Sequence, residues 1–185
     1  GLAFWHNGMK QFSANKPLIK PEDAKGLKFR VQASDVLVAQ IEQLGASPQK
    51  MSFKEVYGGL QTGVIDGQSN TWSNIYGKKF FEVQDGVTET NHGILDYLVV
   101  TSTKWWDGLP DDVRSQLATI LKEVTATRNA ESTKVNNANK QNIINAVLVL
   151  SDGDMAVGTQ NNGLYILNNH FELKNQYTKN LGLSN

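Results

Sequence analysis

The chain has 185 residues, enough for one domain with a sizeable core or for two small lobes. Its 18 basic and 18 acidic residues cancel, and no run of Lys or Arg is long enough to follow a phosphate backbone, so we expect no nucleic-acid partner. The absence of cysteine excludes disulfides, thiolate catalysis and thiolate metal ligands, and it fits either the cytosol or an exported protein. No apolar run reaches the roughly 18 residues that span a bilayer. The first residues, GLAFWHNGMKQF, lack the pattern of a signal peptide.

The first part of the chain predicts a strand, a loop, a second strand and a helix. The apolar run LAFW has no turn before it, which predicts a strand that belongs to a larger protein. After a proline-containing loop, LKFRVQ alternates apolar and polar residues, as in a strand with one apolar face. Ser34 is placed to cap a helix that runs to Leu44, where Gly45 can provide a left-handed end.

A second unit of strand, helix and strand follows. A short strand is predicted at 49–51, and Ser52 with Glu55 forms a capping box that opens the next helix. The stretch GVIDGQSN is predicted as a third strand that ends at Ile65 and turns at 66–67. Strands and helices at these short spacings indicate an α/β sheet with right-handed crossovers.

The second half of the chain is dominated by one long helix. Two short helical turns are predicted in NTWSNIYGKKFFEVQDG, and a strand in ILDYLVVTS. Pro110 then suits the first position of a helix whose next residues, Asp111 and Asp112, complement its positive end. A helix of about 35 residues is too long for one small core and should brace two lobes. Residues 151–185 are interpreted as a turn followed by helix.

The chain contains no motif of a metal centre or of covalent catalysis. His6, His92 and His170 lack a partner at the i,i+4 spacing of a zinc helix, so we interpret them as ordinary polar or capping residues. There is no nucleophile elbow and no glycine-rich phosphate loop.

Arg30 is the strongest candidate for a ligand contact on pattern alone. It lies near the carboxyl end of its predicted strand, which is the edge where open α/β sheets bind ligands. Its guanidinium could bind a carboxylate through two parallel hydrogen bonds, although the pattern also allows a solvated surface arginine. The aromatic side chains at nearly helical spacing further along are interpreted mainly as core: Trp72, Tyr76, Phe80 and Phe81.

Three stretches of the chain resemble the substrate-binding proteins of TRAP transporters, specifically the C4-dicarboxylate-binding subunits: KGLKFRVQAS, LGASPQKMSFKEVYGGLQTGVIDGQSNTWSNIYGKKFFEVQ and TNHGILDYLVV. The resemblance runs almost without gaps from about Phe4 to Leu150. It implies a periplasmic receptor, not an enzyme and without a cofactor. Two α/β lobes, joined by crossing strands and a long bracing helix, close on a small organic acid and deliver it to a membrane permease.

The resemblance also implies a division of the chain. Residues 1–7 are expected to be the remnant of a lobe I crossing strand, and 8–95 the α/β ligand-binding lobe II. Residues 96–135 are expected to form a lobe I strand and the start of the long helix, and 136–185 its end and a divergent tail.

Six ligand-binding residues follow from the resemblance. Arg30 matches the family arginine that binds the ligand carboxylate, and Lys10 stands where many members have a second arginine. The remaining four are an amide, an aromatic contact and two pocket walls carried over less strongly: Asn70, Phe53, Trp72 and Asn74. Lysine keeps the charge but lacks the planar fork of arginine, so we expect a looser contact at Lys10. Which organic acid is bound stays open.

Two departures from the family pattern carry expectations of their own. Family members have a long segment before Phe4 that builds most of lobe I, so this chain is expected to hold mainly lobe II. Apolar surface on LAFW and YLVV should then be exposed, which favours a dimer or larger species. The alternative function is a fragment that self-associates and binds no ligand; an enzyme is the least favoured interpretation.

Overall fold

The computed structural model describes residues 1–149, 155–159, 163–168 and 172–177. In these residues the strands are β1 (Ala3–Met9), β2 (Gln11–Ala14), β3 (Lys28–Val31), β4 (Ser47–Lys50), β5 (Gly67–Asn70), β6 (Gly86–Thr88), β7 (Ile94–Val99), β8 (Ile144–Val149), β9 (Met155–Thr159), β10 (Gly163–Leu167) and β11 (Leu173–Tyr177). The helices are α1 (Asp35–Gln43), α2 (Val56–Gln61), α3 (Trp72–Gly77), α4 (Thr103–Asp107) and α5 (Asp111–Ile143). Short 3-10 turns occupy Pro21–Ala24, Phe53–Glu55 and Phe80–Val83. The mixture of helix and strand confirms the predicted α/β class.

A five-stranded sheet in the order β4-β3-β5-β2-β6 is the centre of the first part of the chain. β3 runs parallel to β4 and β5, and β2 runs antiparallel to β5 and β6. The helices α1 and α2 connect the parallel strands, which confirms the predicted alternation of strand and helix. The sequence pattern does not predict β2, because four residues are too few for an alternating pattern to stand out.

The prediction that a strand ends at Ile65 and turns at Asp66 and Gly67 is wrong. β5 begins at Gly67, and Asp66 anchors it. The Asp66 carboxylate accepts hydrogen bonds from the Lys28 backbone N–H at 2.8 Å and from the Asn15 amide at 3.1 Å. A Cβ on Gly67 would lie 2.5 Å from the Ser13 carbonyl oxygen, so this glycine permits the close approach of β2 and does not serve a turn.

Each face of the five-stranded sheet has its own hydrophobic cluster. On one face Phe12 and Phe29 pack edge to face, with ring centroids 5.4 Å apart, against the buried Ile41 of α1. The second cluster gathers α2, α3 and the turn after α3 around Val56, Leu60, Ile65, Ile75 and Phe80. Burial of one such side chain contributes about 1.5–3 kcal/mol, so both faces hold the sheet in place.

A second unit consists of the antiparallel pair β1–β7 packed along α5. The Trp5 indole N–H donates to Thr125 at 2.9 Å, and Asn129 accepts from the His6 backbone and donates to the Phe4 carbonyl. The 33 residues of α5 confirm the predicted long helix, although Pro110 lies one residue before its first turn. The pairing of β1 shifts between His6 and Gly8, just before the chain enters β2.

The C-terminal prediction is wrong in the described residues. Residues 151–185 are expected from the sequence to form a turn and a helix. Instead β9, β10 and β11 form an antiparallel sheet with β8, in the order β11-β10-β9-β8. The local sequence favours neither state strongly here, and β9, β10 and β11 take their structure from pairing with neighbouring strands. The turn expected at 151–154 and the residues after 177 lie outside the described residues. In the part of the chain that the structure describes, no helix is long and apolar enough to cross a membrane.

Candidate anion-binding site

The predicted ligand residues meet at one edge of the five-stranded sheet. The parallel strands β3 and β5 end at this edge, and the antiparallel β2 begins there. Arg30 pairs in register with Gln68 of β5, and Gln11 pairs with Asn70, so Lys10 lies directly before β2 at the same edge. The sheet register, set by residues far apart in the sequence, thus assembles this edge.

Arg30 is buried, with 5% of its surface exposed. Its Nε donates to the Met51 carbonyl at 2.9 Å, and its guanidinium carbon lies 5.7 Å from the Phe53 ring centroid. These two contacts fix the plane of the guanidinium, and its terminal nitrogens have no partner among the described residues. Burial lowers the pKa of Arg30 below its ordinary value, but the group stays charged. The structure therefore removes the alternative of a solvated surface arginine.

Lys10 is a second buried cation, also 5% exposed. Its backbone N–H donates to the Gly93 carbonyl at 2.7 Å, which joins the start of β2 to the segment before β7. The pKa of Lys10 is lowered, mainly by burial and then by the positive charge of Arg30. The two cations are therefore close enough to repel each other.

Neither cation has an acidic partner in the described part of the chain. The ion pairs found there lie elsewhere, for example Lys50–Asp35 and Arg128–Glu131. Buried charges in proteins are normally paired or bound to an ion, since a lone buried charge loses its hydration without compensation. Two like charges at one edge therefore make a site for an anion with more than one oxygen.

Asn70 is held in a chain of buried amides and one hydroxyl. Its Oδ1 accepts from the Asn74 amide at 2.7 Å, and its Nδ2 donates to Gln68 Oε1 at 3.2 Å. Gln68 then donates to Ser13 at 2.8 Å, and Ser13 donates to Gln84 at 2.8 Å. Asn74 thus orients Asn70, and its role as a pocket wall stays a prediction. Asn70 keeps one amide hydrogen for a ligand.

The two predicted aromatic residues flank this edge in different ways. Phe53 packs edge-on against Phe80, with ring centroids 5.8 Å apart, and the Lys78 ammonium lies 5.7 Å from the Phe53 centroid. The Phe53 ring therefore lies beside two cations, Lys78 and Arg30. Trp72 is buried at the first residue of α3, and the Lys140 ammonium of α5 lies 5.7 Å from its ring centroid. Trp72 thus has a cation–π partner in α5, Lys140.

His92 is a candidate that the sequence analysis interpreted as an ordinary polar residue. Its ring stacks on Phe12 with centroids 4.0 Å apart, and its Nδ1 lies 2.6 Å from the Thr90 hydroxyl. Its Nε2 is buried and has no partner in the described residues. Burial, and secondarily the charge of Lys10, lowers the pKa of His92 to about 4, so the ring is neutral at physiological pH. No spacing in the sequence connects positions 10 and 92, and only the fold brings them together.

The other histidines do not join this site. His6 pairs with Asp96 at 2.9 Å on β1 and β7, and His170 lies outside the described residues. No cluster of three potential metal ligands occurs within the described ranges.

In the described residues, an α/β sheet carries two buried cations without an acidic partner at one edge, an arrangement typical of anion-binding proteins. The sequence model of the DctP family, described as bacterial extracellular solute-binding protein, family 7, matches residues 1–156. The chain belongs to this family. Membership confirms the predicted family, whose described members are extracellular solute-binding proteins and not enzymes.

Three similar proteins are named for, or hold, C4-dicarboxylates, while others are named for or hold sialic acid, orotic acid or sugar acids. The chain is 80% identical over 146 residues to the C4-dicarboxylate-binding periplasmic protein DctP of Vibrio cholerae, an alignment that covers 79% of this chain and 44% of that protein. A TRAP periplasmic solute-binding protein from Shewanella oneidensis with bound succinate has a TM-score of 0.74 and 56% identity, over 76% of this chain and 46% of that one. One from Pseudomonas aeruginosa with bound L-malate has a TM-score of 0.75 and 46% identity, over 76% and 49%.

This chain therefore spans less than half the length of the relatives that it matches. The resemblance to TRAP substrate-binding proteins is confirmed at the level of family and fold. The division into lobes and the roles of individual residues stay predictions.

Proposed function

We propose that this chain carries the cation-bearing half of the ligand site in a TRAP transporter solute-binding protein. The ligand would be a C4-dicarboxylate, which the protein captures in the periplasm and delivers to a membrane permease. The observation that carries the proposal is the pair of buried cations, Arg30 and Lys10, with no acidic partner in the described residues. The names and bound ligands of the similar proteins support the choice of a C4-dicarboxylate.

In this proposal Arg30 is the principal anchor. Its Nε is already bound to the Met51 carbonyl, so its terminal nitrogens remain for a carboxylate. Lys10 supplies a second positive charge whose hydrogen bonds are less directional than those of arginine. It could bind the carboxylate that Arg30 binds or the other carboxylate of the ligand. Asn70 donates its remaining amide hydrogen, and Phe53 holds the guanidinium plane from one side.

Exclusion of water would strengthen each of these contacts. Coulomb attraction at an effective dielectric constant of about 20 is roughly four times that in bulk water, so closure of the cleft over the ligand raises the affinity of both cations. His92, neutral beside Lys10, adds a polar contact without adding charge. Closure is then the state that the permease recognises.

The test is a thermal-unfolding screen with succinate and L-malate on the wild type and on Arg30→Met. Methionine keeps much of the volume but removes the charge. A ligand at about 100 times its dissociation constant stabilises by about 2.7 kcal/mol, and we expect Arg30→Met to lose that stabilisation. Arg128→Ala is the matched control, because Arg128 is exposed on α5 and pairs with Glu131.

Stabilisation retained in Arg30→Met would contradict the role of Arg30. No stabilisation of the wild type by any organic acid would instead favour the alternative, a chain without ligand-binding activity on its own.

A further inference from the structure

We propose that two residues on one face of α5, Asn136 and Lys140, position the anion site. They lie four residues apart, so they occupy the same face of the helix. Together they bind the three separate segments that carry Lys10, Asn70 and His92. The proposal rests on the proposed function for its ligand, but the contacts themselves are independent of that function.

Asn136 joins two of these segments. It is buried at 8% exposure, and its Nδ2 donates to the Asn7 carbonyl at 2.6 Å. Its Oδ1 accepts from the Ser73 backbone N–H at 3.0 Å. Asn7 lies three residues before Lys10, and Ser73 lies three residues after Asn70. One amide therefore sets the distance between the start of β2 and the end of β5.

The approach of the first segment to Asn136 is unusually close. Gly8 has φ +155°, and a Cβ at this position would lie 2.8 Å from Asn136 Nδ2. The pairing of β1 also shifts here, between His6 and Gly8. The Ser73 hydroxyl adds a bond to the Asn7 side chain at 2.9 Å, which closes a ring of contacts. The bulge of β1 thus brings its backbone against α5 just before Lys10.

Lys140 holds the third segment. Its ammonium pairs with the Glu89 carboxylate, and it also lies 5.7 Å from the Trp72 ring centroid. Glu89 lies three residues before His92, in the link between β6 and β7. Lys140 therefore connects this link to the first residue of α3.

This arrangement costs helix stability, which favours a positioning role over simple packing. Asn is a poor residue for the interior of a helix, because its side chain competes for backbone hydrogen bonds. Here Asn136 also donates to the Ser132 carbonyl one turn back, while its other contacts leave the helix. An apolar residue at this site would pack as well but would leave the Ser73 N–H without its acceptor and the Asn7 carbonyl without its donor.

The first measurement needs no ligand. Amide hydrogen exchange is compared in the wild type, Asn136→Ala and Lys140→Met. We expect faster exchange at 7–10 and 70–74 in Asn136→Ala, and at 89–93 in Lys140→Met, with β3 and β4 unchanged. The matched controls are Asn137→Ala and Lys134→Met, because both residues are exposed on α5. Exchange that is unchanged in these segments, or that rises uniformly over the chain, would overturn the proposal.

The second measurement is succinate affinity by calorimetry. We expect about a tenfold loss in Asn136→Ala, a difference of about 1.4 kcal/mol. Lys140→Met should lose less, and Lys140→Arg should keep wild-type affinity because it preserves both the ion pair and the contact with Trp72. Lys140→Glu alone should lose affinity, and the double variant Lys140→Glu with Glu89→Lys, which exchanges the two charges, should recover part of that loss. Unchanged affinity in both Asn136→Ala and Lys140→Met would overturn the positioning role.

The two measurements separate the failure of each proposal. If the wild type binds no succinate, the proposed function fails, and the exchange pattern alone decides whether α5 orders the three segments. If the wild type binds and the variants bind equally well, the proposed function stands and the positioning role fails.

Discussion

The five-stranded sheet is covered on both faces, whereas the β1–β7 pair is covered on one. In the sheet, buried apolar clusters lie on either side of β3 and β5, and they create the low-dielectric surroundings in which two cations lose their water. In the pair, Phe4 is 60% exposed and its cross-strand partner Leu98 is 52% exposed. The pair is held to α5 largely through polar side chains such as Asn129. The two buried cations thus lie in the unit with the more complete apolar cover.

The largest expected effect on stability comes from a substitution inside the five-stranded sheet. In Gly67→Ala the new methyl group would lie 2.5 Å from the Ser13 carbonyl oxygen and 2.6 Å from the Phe29 ring. Overpacking of this kind costs about 1–3 kcal/mol, so we expect a loss of at least that size in the free energy of unfolding, measured with urea.

Gly58→Ala is the control for this substitution, because nothing lies within 4 Å of its added Cβ in α2. It should stabilise the protein by up to about 1 kcal/mol through helix propensity. Equal effects of the two substitutions would show that β2 and β5 can move apart, against the close packing described for the sheet.

The second expected effect is a pH dependence of the free energy of unfolding that comes from His92, beside the five-stranded sheet. The folded pKa of His92 is about 4, below its ordinary value of 6.5, so the unfolded chain binds a proton first. The contribution of neutral His92 to the free energy of unfolding is therefore fully present above about pH 6.5 and is lost as the pH decreases towards 4. The difference of about 2.5 between the two pKa values corresponds to at most about 3 kcal/mol across this window, and we expect His92→Gln to lack this contribution.

The measurement is urea unfolding at several pH values, with His6→Gln as the control, since His6 is exposed on the β1–β7 pair. The same pH slope in the wild type and in His92→Gln would show that the histidine is not buried in solution.

The smallest effect on folding concerns the uncovered face. We expect the apparent mass of the wild type to rise with concentration in light scattering, because Phe4 and Leu98 expose adjacent apolar surface. Leu98→Lys should weaken this association and change the free energy of unfolding by less than about 0.5 kcal/mol. Val36→Lys, an exposed residue of α1, is the control. A monomer at every concentration would contradict the expected self-association.

Much of the fold could be predicted from local signals. Ser34 and Gly45 mark the ends of α1, the Ser52–Glu55 capping box opens the turn before α2, and Gly45 has the expected left-handed φ of +68°. The start of β5 cannot be predicted in this way, because Asp66 and Gly67 are a common turn pair and their tertiary contacts are not visible in the sequence. The C-terminal strands have weak patterns of their own and depend on pairing with neighbours.

The site divides in the same way. Arg30 could be proposed from its place at a strand end, but its burial depends on Met51, Phe53 and the packing of both sheet faces. The assignment of Lys10 and Asn70 came from the family resemblance and not from any pattern of their own. His92 and Asn136 reach the site only through the register of β2 with β5 and the course of α5, which are long-range properties.

The hydrogen bonds that link Asn74, Asn70, Gln68, Ser13 and Gln84 all run in one direction, which is set at the Gln84 end. Gln84 donates to the Asp66 carbonyl at 3.3 Å, and a carbonyl oxygen can only accept. The Gln84 oxygen must then accept from Ser13, which makes the Ser13 oxygen the acceptor for Gln68. Gln68 must in turn accept from Asn70, and so the oxygen of Asn70 is left to Asn74. No amide in this series can be reversed alone, so the Asp66 backbone carbonyl determines that the group left over on Asn70 is a donor. A donor is the polarity that a carboxylate needs in the proposed site.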